Sequence, residues 1–202
     1  MRVYDTDAYI NLLLPKTLRK HGVVEAERGL IQELSYGALR WQLQYDAVID
    51  HFTSGKSLSQ AIRGALQLGL HQLFRMRVPV HASINETVNL AKKIEPRAAG
   101  LVNAVLRNAE REGLEGVLEN LDHQKTSTQQ LELRYSHPAW VIDSLRESLR
   151  LDGRENELEA LLAANNENPT TYLAAADDAA VRVLEGQGLL VSSHSPIGFA
   201  VE

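Results

Sequence analysis

The sequence predicts a mainly helical fold that closes in a short α+β segment. Three observations carry this. Apolar residues recur three and four apart through the first two-thirds of the chain, the spacing of a helix with one buried face. Glycine and proline divide that stretch into helix-sized pieces. After Pro169 the pattern changes to short apolar runs on either side of one helical run. Aromatic residues are only 5% of the chain while hydrophobic residues are 44%, so the core must be built from Leu, Val, Ile and Ala.

The elements follow in order. Pro15 suits the first turn of a short helix through Arg19, which Gly22 ends. Leu30, Ile31, Leu34 and Leu39 mark a helix from Ala26 to Arg40, which bends or breaks near Trp41 and continues through Tyr45 to Phe52. Gly55 stops it. Ser57 or Ser59 can cap the next helix, which carries Ile62, Leu66, Leu70, Leu73 and Phe74. Pro79 breaks the chain. Ile84, Val88, Leu90 and Ala91 mark another helix, closed near Ile94 by Pro96. The following helix holds Leu101, Val102, Val105 and Leu106 on one face. Gly64, Gly69 and Gly100 inside these helices are unfavourable unless close packing needs the missing side chain. Gly113 to Asp122 reads as a short helix and His123 to Gln130 as a polar linker. Pro138 opens a helix over Ala139 to Leu149. Gly153 separates it from an acidic helix, Glu155 to Ala164, and a loop of Asn165 to Pro169 follows. Thr170 to Ala175 and Leu189 to Ser192 read as strands around a helix at Ala179 to Glu185, with a third strand at Ile197 to Glu202. Such a unit cannot bury both sheet faces, so the sequence is expected to stop inside a domain.

Composition excludes several functions. There is no cysteine, hence no disulfide, thiolate metal site or cysteine nucleophile in these residues. No apolar run reaches the roughly 20 residues that span a bilayer. The N-terminus lacks the apolar core of a signal peptide, and a cytoplasmic location is expected. Net charge is −5, but it is unevenly spread. Residues 1–55 are net −1. Residues 56–111 hold nine basic and three acidic groups, net +6, and residues 112–202 hold six basic and sixteen acidic, net −10. A basic middle in an acidic chain is the footprint of a phosphate-bearing partner.

Arg107 and Arg111 lie four apart on one helix face, where like charges repel. An RNA contact and an ordinary solvated face remain open for them. Lys92, Lys93 and Arg97 crowd a helix end, where cations also suit the C-terminal dipole. Alternation about Met76 turns Met76 inward and Arg75 and Arg77 outward, towards a phosphate. Arg40 is placed to pair with Glu33 or Asp46. Asn103 reads as a hydrogen-bonding group between helices, Trp140 as core, and His137 as a packing or capping residue. His71, His81 and His137 do not have metal-site spacing. Asp177-Asp178 reads as a helix cap.

Several segments share an order with a known family. They are Leu34-Ser35-Tyr36-Gly37-Ala38-Leu39-Arg40-Trp41, Leu68-Gly69-Leu70-His71-Gln72-Leu73, Met76-Arg77-Val78-Pro79-Val80-His81-Ala82, Asn85-Glu86-Thr87-Val88-Asn89-Leu90-Ala91-Lys92 and Gly100-Leu101-Val102-Asn103-Ala104-Val105-Leu106-Arg107. Arg134-Tyr135-Ser136-His137-Pro138-Ala139-Trp140 follows. This series resembles the N-terminal region of the bacterial 16S rRNA cytosine-5 methyltransferase B family (Sun or Fmu), itself similar to the antitermination factor NusB.

The resemblance implies a NusB-like RNA-binding helical bundle over residues 1–125. A helical connector and the truncated start of an α+β, RNA-recognition-like subdomain would occupy 126–202. The parent enzyme would methylate carbon 5 of a cytosine in 16S rRNA, with S-adenosylmethionine as donor. The family's cofactor-binding glycines and catalytic cysteines belong further on, so this chain is expected to bind no cofactor and not to catalyse alone. Gly186-Gln187-Gly188 follows a helix, the wrong order for a cofactor turn. The first NusB helix looks clipped, with only Arg2 and Val3 before the Asp-Ala-Tyr turn. The expected RNA-binding residues are Arg75, Arg77, Lys92, Lys93, Arg97, Arg107 and Arg111. A homodimer through helical faces stays open. The alternatives are a stand-alone NusB-type antitermination factor and a helical scaffold that binds only protein.

Overall fold

The computed structural model describes residues 9–123, 125–167, 171–174, 177–186, 191–193 and 198–201. The clipped N-terminal helix and the Gln187-Gly188 segment lie outside them. The chain divides into two compact units, one running to Ala163 and the other from Ala164.

The first unit is helical. Helix α1 (Ile10–Lys20) buries Leu14 and Leu18. Pro15 sits inside α1 instead of opening it. The bond that its missing N–H cannot make would go to the carbonyl of Asn11, an exposed residue within reach of water. Helix α2 (Glu25–Arg40) ends at Trp41, whose φ of −101° and ψ of 18° break the run before α3 (Gln42–Thr53). Ser54 and Gly55 then turn the chain with φ of 52° and 69°. The Ser59 hydroxyl accepts from the Ile62 N–H and caps α4 (Gln60–Arg75). Helix α5 (Val80–Ile94) leads through a 3-10 turn, Pro96–Ala98, into α6 (Ala99–Asp122). Gly113, at φ 75°, kinks α6 where the sequence suggested a new helix.

Helix α4 is the centre of the core. Ile62, Leu66 and Leu70 pack with Tyr45, Val48 and Ile49 of α3, Ile84 and Ala91 of α5, and Val102, Val105 and Leu106 of α6. Two glycines permit this closeness. A Cβ on Gly37 would strike the imidazole of His71, and one on Gly69 would lie 2.7 Å from Thr87 Oγ1 and 3.2 Å from Leu106 Cδ1.

The helical body continues past residue 125, the domain limit expected from the sequence. Helix α7 (Ser127–Tyr135) takes up the second half of the segment expected as a linker, started by a capping box between Thr126 and Gln129. Helices α8 (Ala139–Leu151) and α9 (Leu158–Ala164) join it around a smaller core of Ile142, Leu149, Leu158 and Leu162. Trp140 is 72% exposed, contrary to its expected place in a core. It precedes Ile142 by two residues, about 200° around a helix, and so faces away from the buried side.

The second unit holds β1 (Thr171–Ala174), α10 (Asp178–Gly186), β2 (Val191–Ser193) and β3 (Gly198–Val201). The sheet order is β1-β3-β2, and both pairings are antiparallel. Asp177 caps α10 by accepting from the Ala180 N–H at 2.8 Å. This is the strand-helix-strand pattern, with a third strand, that the sequence predicts.

Gly37 and Gly100 give a paired prediction. Gly37→Ala must displace the His71 ring and should destabilise the protein by about 1–3 kcal/mol. Gly100 is exposed and a Cβ there meets nothing within 4 Å. Gly100→Ala should stabilise by up to about 1 kcal/mol through helix propensity. Urea unfolding of both variants checks the two signs.

Candidate nucleic-acid interface

The break at Trp41 leaves the first N–H groups of α3 without helical partners. No side chain of α2 or α3 caps them. Ser136, far along the chain, does so: its Oγ lies 3.1 Å from the Leu43 N and 3.5 Å from the Gln44 N. Ser136 has a left-handed φ of 54°. Gln44 returns the bond, its amide donating to the carbonyls of Leu133 and Arg134 at the end of α7, both at 3.1 Å. Two helix ends satisfy each other across about ninety residues of sequence.

Arg75 belongs to this junction. Its Nη2 donates to Gln44 Oε1 at 2.5 Å, and its Cζ lies 3.3 Å from the Trp41 ring centroid, a cation–π contact. Burial pulls its pKa below the ordinary guanidinium value. The expectation of an outward Arg75 on a phosphate is thus corrected, because its guanidinium is used inside the fold.

Beside it lies a buried Tyr45–His71 pair, with the Tyr45 hydroxyl 3.0 Å from His71 Nδ1. Burial raises the Tyr45 pKa and lowers that of His71, so both are neutral. Glu33 Oε1 is 3.6 Å from His71 Nε2, and its charge opposes the lowering. A Tyr45 O–H donor to Nδ1, with the imidazole proton on Nε2 facing Glu33, suits both neighbours.

With Arg75 withdrawn, the other expected cations are exposed. Arg77 lies between α4 and α5. Lys92 and Lys93 fill the last turn of α5, Arg97 sits in the 3-10 turn, and Arg107 and Arg111 project from α6. Several arginines elsewhere are paired: Arg63 with Asp46 and Asp50, Arg134 with Asp122, Arg146 with Asp143, Arg150 with Glu147 and Arg154 with Glu157, each at 2.6–2.9 Å. Asp46, a suggested partner of Arg40, therefore binds Arg63 and also Gln67. By contrast, Arg77, Lys92, Lys93 and Arg97 form no ion pair with another described residue. Arg107 has only a 3.8 Å approach to Glu110, and Arg111 donates to Asn108.

Asn103 is also exposed on α6, a correction to its expected place between helices. Its position in the helix turns it away from the face that buries Val102, Val105 and Leu106. His137 Nδ1–H donates to the Tyr135 carbonyl at 2.7 Å, a capping role. No cluster of three potential metal ligands occurs among the described residues. No described helix is long and apolar enough to cross a membrane.

Comparison with known proteins adds a second line of evidence. A sequence model described as the NusB family matches residues 1–111. The chain is 38% identical over 169 residues to "Ribosomal RNA small subunit methyltransferase B" of Pseudomonas syringae pv. tomato, covering 82% of this chain and 35% of the relative. It is 34% identical over 178 residues to the protein of the same name in Vibrio cholerae, covering 84% and 38%. The chain thus spans little more than a third of the length of these curated relatives. The solved structure "Crystal Structure of PH0851" superposes with a TM-score of 0.61 at 17% identity, over 93% of this chain and 43% of that one. At that identity the likeness concerns the fold.

His71 predicts a pH dependence of stability. Its folded pKa lies below the ordinary 6.5, so the unfolded chain binds the proton more readily. The contribution is fully present above about pH 6.5 and is lost as pH falls through that value. Urea midpoints should fall from about pH 7 to about pH 5, with a smaller fall in His71→Gln. An equal fall in both proteins would place the effect elsewhere.

Proposed function

Because the chain belongs to the NusB family, we propose that it is an RNA-binding module that holds small-subunit ribosomal RNA for a methyltransferase. The carrying observation is the exposed, largely unpaired cation face of α5 and α6, set against several arginines of α4, α7 and α8 and the turn after α8 that are carboxylate-paired. The helix dipole accounts for Lys92 and Lys93 in the last turn of α5, but not for the rest of this face. Arg97 stands at the positive end of α6, where a cation is unfavourable. Arg107 and Arg111 repel each other four residues apart. An anionic partner offsets both effects.

The relatives favour the methyltransferase setting over a stand-alone factor. Their similarity covers 82–84% of the chain, well past the residues matched by the NusB model. The role is positional: contacts from Lys92, Lys93, Arg97, Arg107 and Arg111 to phosphates fix the register of an RNA and read little of its sequence. Arg77 extends the surface from the loop before α5. The cytosine-5 chemistry and the S-adenosylmethionine donor follow from the family resemblance. The residues here do not fit that donor. The connection from β1 to α10 contains no glycine, and Asp177 places a carboxylate at the helix start. Methyl transfer is therefore assigned to no residue of this chain.

Titration with a small-subunit rRNA hairpin tests the reading. If four cations reach phosphates, the log–log salt slope should be roughly −3 to −4. Arg107→Glu with Arg111→Glu should weaken binding of any RNA about equally. Arg154→Glu, in the paired and acidic region, should change it far less. Wild-type affinity in the double variant at low salt would show that this face is only solvated. A larger loss in the Arg154 variant would mean that the surface is misplaced.

A further inference from the structure

The shape of the basic face limits which RNA it accepts. Gly100, Ala104, Arg107 and Arg111 are spaced four, three and four apart, which places them in one stripe along about 17 Å of α6. Arg97, in the turn before, precedes Gly100 by three residues. All five are exposed. The stripe is smooth between its cations, because Gly100 has no side chain, Ala104 has one methyl group, and a Cβ on Gly100 would meet nothing within 4 Å. Exposed polar groups on the two helices also include His81, Asn85, Asn89 and Asn103, with the carboxylates Glu86, Glu110 and Glu112 interspersed. The asparagine amides both donate and accept hydrogen bonds.

From Val80 to Asp122 the chain has no Phe, Trp or Tyr, and His81 is the one aromatic ring. Unpaired strands are usually held by bases stacked on aromatic rings, each worth roughly five-fold or more in affinity. This face offers no row of such rings. The minor groove of A-form RNA makes different demands. It is wide and shallow, it displays 2′-hydroxyls, and proteins contact it by shape and through phosphates. A smooth helix face with spaced cations and flanking amides meets those demands.

We infer that the α5–α6 face takes base-paired RNA, a stem, in preference to an unpaired strand. This rests on the RNA-binding reading above. The cations grip phosphates on the two sides of the groove, Gly100 and Ala104 let the helix backbone approach its floor, and the asparagine amides meet 2′-hydroxyls.

Fluorescence anisotropy of the full chain, at low and moderate salt, tests this with three labelled probes. They are an RNA duplex longer than one helical turn, one of its strands with an unstructured sequence, and the DNA duplex of that sequence. The RNA duplex should bind about ten-fold or more tighter than the single strand, the difference that one or two missing base stacks would make. The DNA duplex should bind more weakly than the RNA duplex, for want of 2′-hydroxyls. Ala104→Trp, which raises a ring from the smooth stripe, should weaken the RNA duplex and spare the single strand. Equal or tighter binding of the single strand would overturn the stem preference and leave RNA binding standing. An Ala104→Trp variant with unchanged duplex affinity would also overturn it. No binding of any RNA at low salt would overturn both readings.

Discussion

The break at Trp41 imposes the constraint on which the helical unit depends. Ending α2 there exposes the first amide groups of α3, and these must find partners before α3 can bury Tyr45, Val48 and Ile49. Ser136 supplies an acceptor from a turn ninety residues away, and Gln44 satisfies the carbonyls that end α7. Arg75 completes the arrangement from α4 by holding the other side of the Gln44 amide. One glutamine side chain thus ties α3 to α4 and α7. Its three bonds are shielded, so removing the amide would strand a guanidinium and two carbonyls. Helices α7 to α9 belong to the helical unit for this reason.

Much of this architecture is written in local sequence. The periodicity of α2 to α6, the Ser59 cap, the stop at Gly55 and the strands and helix of the second unit are all nearest-neighbour signals. Helix α7 was legible too: Thr126 and Gln129 stand three apart, the spacing of a capping box, but polar composition suggested a linker. Residue type alone misplaces Trp140 and Asn103, because the helical angle turns both away from the buried face. Pro15 resembles a start signal but sits inside α1, where water can satisfy the carbonyl it leaves free. The fate of Arg75 was not legible. Alternation about Met76 concerns the local backbone, whereas the ring of Trp41 and the amide of Gln44 arrive from another helix.

The candidate site shows the same division. Sequence alone located a basic middle and most of its exposed members. It did not show which cations already have carboxylate partners, because pairs such as Arg63–Asp46 and Arg134–Asp122 form between helices. Pairing, more than charge count, separates a structural arginine from one available to a ligand. Helix α6 makes the contrast along its own length. Its basic groups, Arg107 and Arg111, lie before the Gly113 kink beside Glu110 and Glu112, while Glu115, Glu119 and Asp122 lie after it with no basic group among them. This order adds to the helix dipole instead of offsetting it. With Lys92, Lys93 and Arg97 just before its start, the first end of α6 is the one less repulsive to an anion.

The reach of Ser136 also has a meaning in time. Its partner Leu43 is 93 residues earlier in the chain. At a synthesis rate of about 5–20 residues per second, roughly 5–20 s separate the appearance of α3 from that of its cap. Throughout that interval the amides at the start of α3 can bond only to water, and the helices already made cannot close their last junction. The Tyr-Ser-His-Pro turn therefore acts as a late latch: the ribosome must pass it before the helical unit can reach its final packing.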